Sequence, residues 1–335
     1  MINFYLLSFS STMILGTLIS VSAMSWLIAW MGLELNLLSI IPLMKTNKLD
    51  KFSSESTIKY FLTQALASMI LLFSMVILSN KTMMKMDTNM ITLIPASGAL
   101  LLKMGAAPLH FWLPEVVSGM NWKMNLVILT WQKIAPMILF SLLTHWTTMT
   151  LFIIILSSMI GGIQGSNQTC LRKILAYSSI NHIGWMIAAI SDSMTLWLLY
   201  FTIYFTTSMI IMIFLEKSNS MFVNQIQKMM LNKKTKLLFM MNFLSLGGLP
   251  PFLGFLPKWM IINSLTLNEM YLTTIILIIF TLLSLFIYTR LMFPSMALYS
   301  SNSLNKQKMN SLFWGFSLNI LSTMGLFLSS MSYLN

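Results

Sequence analysis

Charged side chains are scarce in this chain of 335 residues: Asp, Glu, Lys and Arg together make up 8 %, whereas 57 % of the residues are apolar. An ordinary soluble domain carries about 25 % charged residues. No polar segment between the apolar runs is long enough to form a soluble domain. The composition therefore excludes a soluble protein and predicts an integral membrane protein.

Cysteine is almost absent, since Cys170 is the one cysteine in the sequence. It cannot close an intrachain disulfide, and no CxxC motif or Cys/His cluster is present to hold zinc, an iron–sulfur cluster or covalent haem. The net charge of +12 is spread thinly between apolar runs and forms no basic face, which excludes nucleic acid as the default partner. We expect no metal and no cofactor in this chain, so redox centres, if any, lie elsewhere.

Long apolar runs fill almost the whole chain. A membrane-spanning helix needs about 20 mostly apolar residues. Eleven segments meet this requirement: 3–23, 25–44, 57–79, 90–108, 124–144, 147–165, 171–190, 194–215, 237–257, 271–292 and 311–332. The sequence therefore predicts an all-α, polytopic transmembrane bundle of about 11 helices, forming a single membrane-embedded domain over residues 1–335.

The basic residues are distributed unevenly between the two sides of the predicted membrane. Of the 20 Lys and Arg, fifteen lie in or beside the loops that follow even-numbered spans, whereas Lys81 and Lys85 lie on the opposite side. Translocated loops are depleted in basic residues. We therefore expect the N-terminus on the side of synthesis, and the odd number of spans places the C-terminus across the membrane.

Four ionisable residues fall inside or against the apolar spans, where a charged side chain costs several kcal/mol unless it has a partner or water. Glu34 and Lys133 each lie nine residues into their spans, about 13 Å deep at 1.5 Å per residue, which is close to the membrane midplane. Lys103 and Lys258 lie beside clusters of glycine and proline. Such residues are functional candidates by default.

Two predicted spans contain helix-breaking residues. Gly105 and Pro108 follow Lys103, so regular helical hydrogen bonding is expected to fail just beyond that lysine. The segment 244–259 repeats this pattern ahead of Lys258. Irregular backbone at membrane depth is tolerated only inside protein or beside a wet cavity. Two such segments in separate halves of the chain predict an inverted-repeat transporter architecture with two discontinuous helices.

A polar stripe marks one face of the predicted helix at 171–190. Its members recur at i, i+3, i+4 and i+7 and are Ser178, Asn181, His182 and Trp185. This face is expected to point into the bundle. His182 is a candidate proton relay because histidine titrates near neutral pH.

Each candidate has a plainer interpretation. Glu34, Lys103 and Lys133 can be structural ion pairs that only fix helix packing, and the depth of Lys258 depends on the break before it. His182 can be a hydrogen-bonded packing residue. His110 is expected near the membrane interface, with its role left open. An acid and several lysines on different helices nevertheless favour a proton chain over packing alone.

Six motifs, in this order, carry a resemblance to a known family. They are WMGLELNLLSIIPL (30–43), STIKYFLTQALASM (56–69), LLLKMGAAPLHFWLPE (100–115), LTWQKIAPM (129–137), RKILAYSSINHIGWM (172–186) and LSLGGLPPFLGFLPKW (244–259). Across about residues 20–292 the chain resembles the subunit 2 family of mitochondrial NADH:ubiquinone oxidoreductase, respiratory complex I, in its short animal form. Together these motifs are very specific for that family of antiporter-like proton-pumping subunits.

The resemblance implies roles for matching residues. Glu34 looks like the helix glutamate that couples to the lysine channel, Lys103 like the lysine of the first broken helix, and Lys133 like the central relay lysine. Lys258 looks like the lysine at the second broken helix, which hands protons toward the exit or the next subunit.

The resemblance also implies a setting for the chain. We expect a multi-pass protein of the mitochondrial inner membrane, with its N-terminus in the matrix and its C-terminus in the intermembrane space. Other membrane and peripheral subunits, neighbouring antiporter-like subunits among them, and phospholipid are the expected partners. NAD, FMN, iron–sulfur clusters and ubiquinone are expected in those other subunits. The alternatives are a self-standing cation/proton antiporter and a purely structural membrane scaffold.

Overall fold

The computed structural model describes residues 2–45, 51–80, 89–143, 148–227, 233–250 and 252–297. Every regular element in these ranges is helical, in agreement with the all-α prediction. Fourteen α-helices occur in the described ranges: α1 Ile2–Val21, α2 Trp26–Met44, α3 Lys51–Asn80, α4 Asn89–Met104, α5 Trp112–Gly119, α6 Trp122–Leu126, α7 Gln132–Ser141, α8 Thr148–Ser166, α9 Leu171–Asp192, α10 Met194–Lys217, α11 Val223–Gln227, α12 Lys233–Gly247, α13 Phe255–Leu267 and α14 Tyr271–Ala297. A π-helix, Val127–Trp131, joins α6 to α7.

Ten of the eleven predicted spans coincide with helices of the described ranges, and the eleventh, 311–332, lies outside them. Eight segments in these ranges are long and apolar enough to cross a membrane. The other two predicted spans correspond to α4 and α12, which are shorter because each is one half of a broken helix. Lys81 and Lys85, on which the predicted orientation partly depends, also lie outside the described ranges.

Both predicted discontinuities are present. In the first, α4 ends at Met104, Gly105 takes a φ of 74°, and the chain resumes helical structure at α5. In the second, α12 ends at Gly247 and Gly248 takes a φ of 78°, a backbone conformation that favours glycine. The second helix thus ends ten residues before the predicted limit of 257, so Lys258 lies beyond the break, on α13.

Contacts divide the chain into two compact units, Met1–Thr150 and Leu151–Asn335. Each unit contains one of the broken helices. The prediction of a single membrane-embedded domain over residues 1–335 stays a prediction.

In the first unit, α1 and α2 pack at very short range. A Cβ atom added at Gly16 would lie 2.8 Å from the backbone nitrogen of Asn36, and one added at Gly32 would lie 2.6 Å from that of Ser20. Small residues permit this close approach of backbones, which is the usual basis of helix association in membranes. The contact fixes the position of α2, and with it the residues that face the interior of the unit.

In the second unit, α9 is buried along almost its entire length, including the four residues of the predicted polar stripe. It packs against α10, α13 and α14. Ser193 separates α9 from α10: its N–H donates to the Ala189 carbonyl, and its hydroxyl accepts from the Leu196 N–H. This tight connection returns α10 alongside α9 and places the tyrosines of α10 next to His182.

Candidate functional site

Lys103 lies in the last turn of α4, at the first break, and is 6 % exposed. The carbonyls of this turn are satisfied around the break: Leu102 accepts from the Gly105 N–H and from the indole of Trp112, and the Lys103 carbonyl accepts from the Gln64 amide. Lys103 is thus a basic residue in the last turn of a helix, a position that the backbone dipoles favour. This is the location that the glycine and proline residues of the sequence predicted.

The Lys103 side chain faces a small cavity in the first unit. Its volume is about 270 Å³ when the open mouth is included, and its enclosed part has room for about one water molecule. The lining residues come from α2, α3, α4 and α7 and are Leu33, Asn36, Leu37, Tyr60, Gln64, Lys103, Gln132 and Pro136. A lysine and four neutral polar side chains thus converge in the interior of a membrane-spanning unit.

Glu34 lies on α2 but is only half buried, and it does not line the cavity. It interacts electrostatically with Lys103. Among the described residues, ion pairs within 4.0 Å occur at Lys59, with Glu55 and Glu115, and neither includes Lys103. Glu34 and Lys103 therefore form no ion pair within 4.0 Å in the described part of the chain.

Lys133 lies on α7 and is 1 % exposed. The membrane depth calculated for it from the sequence stays a prediction. It comes two residues after the π-helix, an element that often occurs at functional sites. Lys133 is not among the residues that line the Lys103 cavity, although its neighbour Gln132 is. Glu34 and Lys103 thus interact electrostatically. Lys133 lies on α7, the helix whose Gln132 and Pro136 line the cavity.

Lys258 lies in the first turn of α13 and is 6 % exposed. Its ammonium donates to the Gly247 carbonyl at 2.8 Å and to the Leu246 carbonyl at 3.3 Å, and it lies 6.0 Å from the ring centroid of Trp185. These carbonyls belong to the C-terminal end of α12. A cation at this position satisfies orphan carbonyls and complements the helix dipole.

Both broken helices have a lysine at the C-terminal end of their first half, although the two lysines belong to different parts of the break. Lys103 belongs to the helix whose C-terminus it occupies, whereas Lys258 extends back across the break from the following helix. Half-helix ends of this kind are the usual ion-handling elements of discontinuous transporter helices.

The predicted stripe on α9 faces the interior of its unit. Ser178, Asn181, His182 and Trp185 are 7 %, 2 %, 5 % and 1 % exposed. The Asn181 amide donates to the Ser284 hydroxyl of α14 at 3.2 Å, and Nδ1 of His182 lies 2.7 Å from the Tyr200 hydroxyl of α10. The stripe thus contacts α10, α13 and α14. Its periodicity predicted a buried face but not these partners.

His182 and Tyr200 form a buried polar pair, and the sequence analysis did not single out Tyr200. We expect Tyr200→Phe to lower the free energy of unfolding of the purified chain by about 1 kcal/mol, because it removes this hydrogen bond and little volume. Thermal unfolding followed by circular dichroism would measure the change. Tyr271→Phe, at a 57 % exposed position, is the matched control. Equal unfolding temperatures for the two variants would contradict the prediction.

His110 lies in the first break, between α4 and α5, and is 1 % exposed. Its Nδ1 lies 3.2 Å from the Pro108 carbonyl and its ring packs against Phe111. In the described part of the chain, no group of three or more His, Cys, Asp or Glu is arranged to hold a metal ion.

Sequence reasoning missed the neutral polar residues that surround the lysines. Asn36 and Gln132 exchange two hydrogen bonds of 2.9 Å between α2 and α7, and Gln64 and Tyr60 complete the polar wall. The sequence did contain a signal, because two amide residues occur inside apolar spans: Asn36 two residues after Glu34, and Gln132 immediately before Lys133. That signal did not indicate which amides would meet.

Comparison with known proteins agrees with this architecture. Residues 23–284 match the family described as NADH:quinone oxidoreductase/Mrp antiporter, TM. The chain is 46 % identical to NADH-ubiquinone oxidoreductase chain 2 of Anopheles gambiae, with 96 % of each chain covered, and 44 % identical to that of Locusta migratoria, with 97 % and 96 % covered. It is 41 % identical to the corresponding mouse (Mus musculus) chain, with 88 % and 87 % covered.

Solved structures show the same fold at low sequence identity. A chain of respiratory complex I from Thermus thermophilus with bound aureothin is 21 % identical, with a TM-score of 0.81, and the match covers 97 % of this chain and 77 % of that one. A chain of the Mrp complex from Dietzia sp. DQ12-45-1b is 12 % identical, with a TM-score of 0.75 and coverage of 96 % and 74 %. The predicted antiporter-like membrane fold is confirmed, and the chain belongs to the NADH-ubiquinone oxidoreductase chain 2 family.

Proposed function

We propose that this chain is a core membrane subunit of respiratory complex I and translocates protons as electrons pass from NADH to ubiquinone. The proposal follows from family membership and from one structural observation: Lys103, Lys133 and Lys258 are each at most 6 % exposed on separate helices of a membrane-spanning chain. Buried lysines are expensive in a membrane and are kept chiefly in ion pathways.

The proposed relay assigns one step to each ionisable group. Redox-driven changes elsewhere in the complex alter the separation of Glu34 and Lys103. The electrostatic interaction between these two residues changes with that separation. Lys103 then changes the proton affinity of Lys133. In the second unit, Lys258 hands protons toward the exit or the next subunit, and His182 serves as a further relay group.

The physical environment of Lys258 suits a group that gains and loses a proton. Removal from water disfavours the charged ammonium, whereas the carbonyls at the end of α12 favour it. Because these two effects oppose each other, a small displacement of the ammonium changes their balance. A proton moved against 100 mV needs about 2.3 kcal/mol, which quinone reduction in neighbouring subunits must supply.

The proposal includes partners and location. Other membrane and peripheral subunits of the complex, including neighbouring antiporter-like subunits, hold the NAD, FMN, iron–sulfur clusters and ubiquinone, and this chain carries out no redox chemistry. Phospholipid covers its exposed apolar faces, such as that of α1. The chain is placed in the mitochondrial inner membrane, with its N-terminus in the matrix and its C-terminus in the intermembrane space, as the distribution of basic loop residues supports.

Purification distinguishes the proposal from a self-standing cation/proton antiporter. We expect the chain, solubilised in mild detergent and tracked by an antibody, to migrate with NADH:ubiquinone oxidoreductase activity. The isolated chain in vesicles is expected to exchange no protons for Na⁺ or K⁺. Cation-driven proton transport by this chain alone would favour the antiporter. Unaltered proton pumping after neutralisation of Glu34, Lys103 and Lys133 together would favour a scaffold.

Lys258→Gln tests the exit role in the second unit. Glutamine retains an N–H donor for the Gly247 carbonyl but cannot carry a proton, so we expect the complex to assemble and to lose proton pumping. Removing a group that transfers protons costs about 10²-fold or more in rate. Lys217→Gln, at an exposed position on α10, is the matched control. Wild-type pumping by the assembled Lys258→Gln complex would exclude the exit role.

A further inference from the structure

Two amide side chains in the first unit form a reciprocal hydrogen-bonded pair. The Asn36 amide nitrogen donates to the Gln132 oxygen at 2.9 Å, and the Gln132 amide nitrogen donates to the Asn36 oxygen at 2.9 Å. The pair joins α2 to α7, and Asn36 is 3 % exposed. Both residues line the same cavity as Lys103.

The reciprocal bonds use only half of the hydrogen-bonding capacity of the pair. A primary amide has two N–H donors and an oxygen with two lone pairs. Each partner spends one donor and one lone pair on the other, so each keeps one donor and one lone pair. Because both side chains face the cavity, these remaining groups are available to a small polar ligand there, and the enclosed space fits about one water molecule.

Both members of the pair lie close in sequence to ionisable residues of the proposed relay. Asn36 lies two residues after Glu34 on α2, and Gln132 immediately precedes Lys133 on α7. Asn36 and Gln132 cannot themselves gain a proton near neutral pH, so they serve the relay only through the groups and water they position. Gln64 and Tyr60 line the same cavity and complete its set of neutral polar residues.

We propose that Asn36 and Gln132 are positioning residues whose reciprocal pair fixes α2 to α7 and holds water against the Lys103 ammonium. This inference rests on the proposed proton-pumping function. The pair keeps the cavity wall polar and the spacing of the two helices constant, so that Lys103 exchanges its proton with ordered water. Without the pair, Gln64 and Tyr60 are the polar residues left in the wall, and the water beside Lys103 loses both amide partners.

Paired substitutions separate this role from simple helix packing. Either Asn36→Leu or Gln132→Leu leaves one buried amide unpaired, so each is expected to reduce the yield of assembled complex. The double variant N36L/Q132L leaves no unpaired amide and is expected to assemble normally, since replacing both partners by apolar groups is nearly neutral for stability. The exchange variant N36Q/Q132N retains a reciprocal pair. Ser39→Ala, a buried position on the same helix that does not line the cavity, is the control.

The rate of proton pumping would be measured across pH, together with the rate of NADH oxidation, for the purified complex in phospholipid vesicles. We expect N36L/Q132L to pump about tenfold more slowly than wild type, the effect of losing about one hydrogen bond in the proton-transfer step, with a shifted pH profile. N36Q/Q132N is expected to recover the wild-type rate and profile. A double leucine variant with the wild-type rate and profile would overturn the inference.

Lys103→Met provides the reference that keeps the two hypotheses apart. Loss of pumping in Lys103→Met together with normal pumping in N36L/Q132L refutes the role of the amide pair and retains the proposed function. Normal pumping in Lys103→Met removes Lys103 from the proposed relay, and with it this inference.

Discussion

Replacing Lys133 by methionine is expected to abolish proton pumping by the assembled complex. Lys133 is 1 % exposed on α7, so its ammonium has little access to bulk water and exchanges protons through the interior of the unit. Methionine has a similar volume and fills the same space, which makes it a better probe than alanine for a buried position. Loss of a group that donates and accepts protons lowers the rate by about 10²-fold or more.

The measurement is proton uptake by vesicles that contain the purified complex, recorded with NADH oxidation in the same sample. Lys123→Met is the control, because Lys123 is an exposed lysine on α6, ten residues earlier in the chain. We expect assembly in both variants, since removing a buried ammonium removes a desolvation cost. Normal coupled turnover in Lys133→Met would remove Lys133 from the mechanism.

Gly248→Ala is expected to displace the Lys258 ammonium without removing its charge. Gly248 has a φ of 78°, and a Cβ atom there would lie 2.8 Å from Cδ and 3.0 Å from Nζ of Lys258. An L-residue in the left-handed region costs about 1–2 kcal/mol. Because the nearest atoms belong to the end of a flexible side chain, we expect the lysine to move and to lose its bond to the Gly247 carbonyl.

The consequence for function is a large loss of pumping with the lysine still present. A hydrogen bond to a charged group contributes about 1.5–3 kcal/mol, which corresponds to about 10- to 100-fold in rate if the bond positions the proton donor. Gly98→Ala is the matched control, because a Cβ atom there would meet nothing within 4 Å. Equal pumping rates in the two glycine variants would show that the position of the Lys258 ammonium is unimportant.

Local sequence properties predicted most of the helices. The span expected at 25–44 is observed as Trp26–Met44, and that expected at 194–215 as Met194–Lys217. Hydropathy depends on each residue and its immediate neighbours, so it is readable without the fold. The membrane depth calculated for Lys133 also rests on a local count, the number of residues from the end of its span, and it stays a prediction.

The second break was predicted in kind but not in place. Several glycines and prolines between Gly247 and Pro257 were able to end the helix, and the sequence does not rank them. Packing selects the site: a Cβ atom at Gly254 would collide with the Ser245 carbonyl, so the segment after the break passes directly against the end of α12. As a result, Lys258 lies in the first turn of α13 and not on α12.

The sequence by itself determined that this chain is a helical membrane protein with ionisable groups at depth and two broken helices, because composition, run length and helix breakers act locally. The tertiary structure decided which polar groups meet. Asn36 and Gln132 are 96 residues apart in the chain, and His182 meets Tyr200 only because α10 returns alongside α9. Such contacts depend on the packing of whole helices, and apolar residues that look alike in sequence decide that packing by small differences in shape.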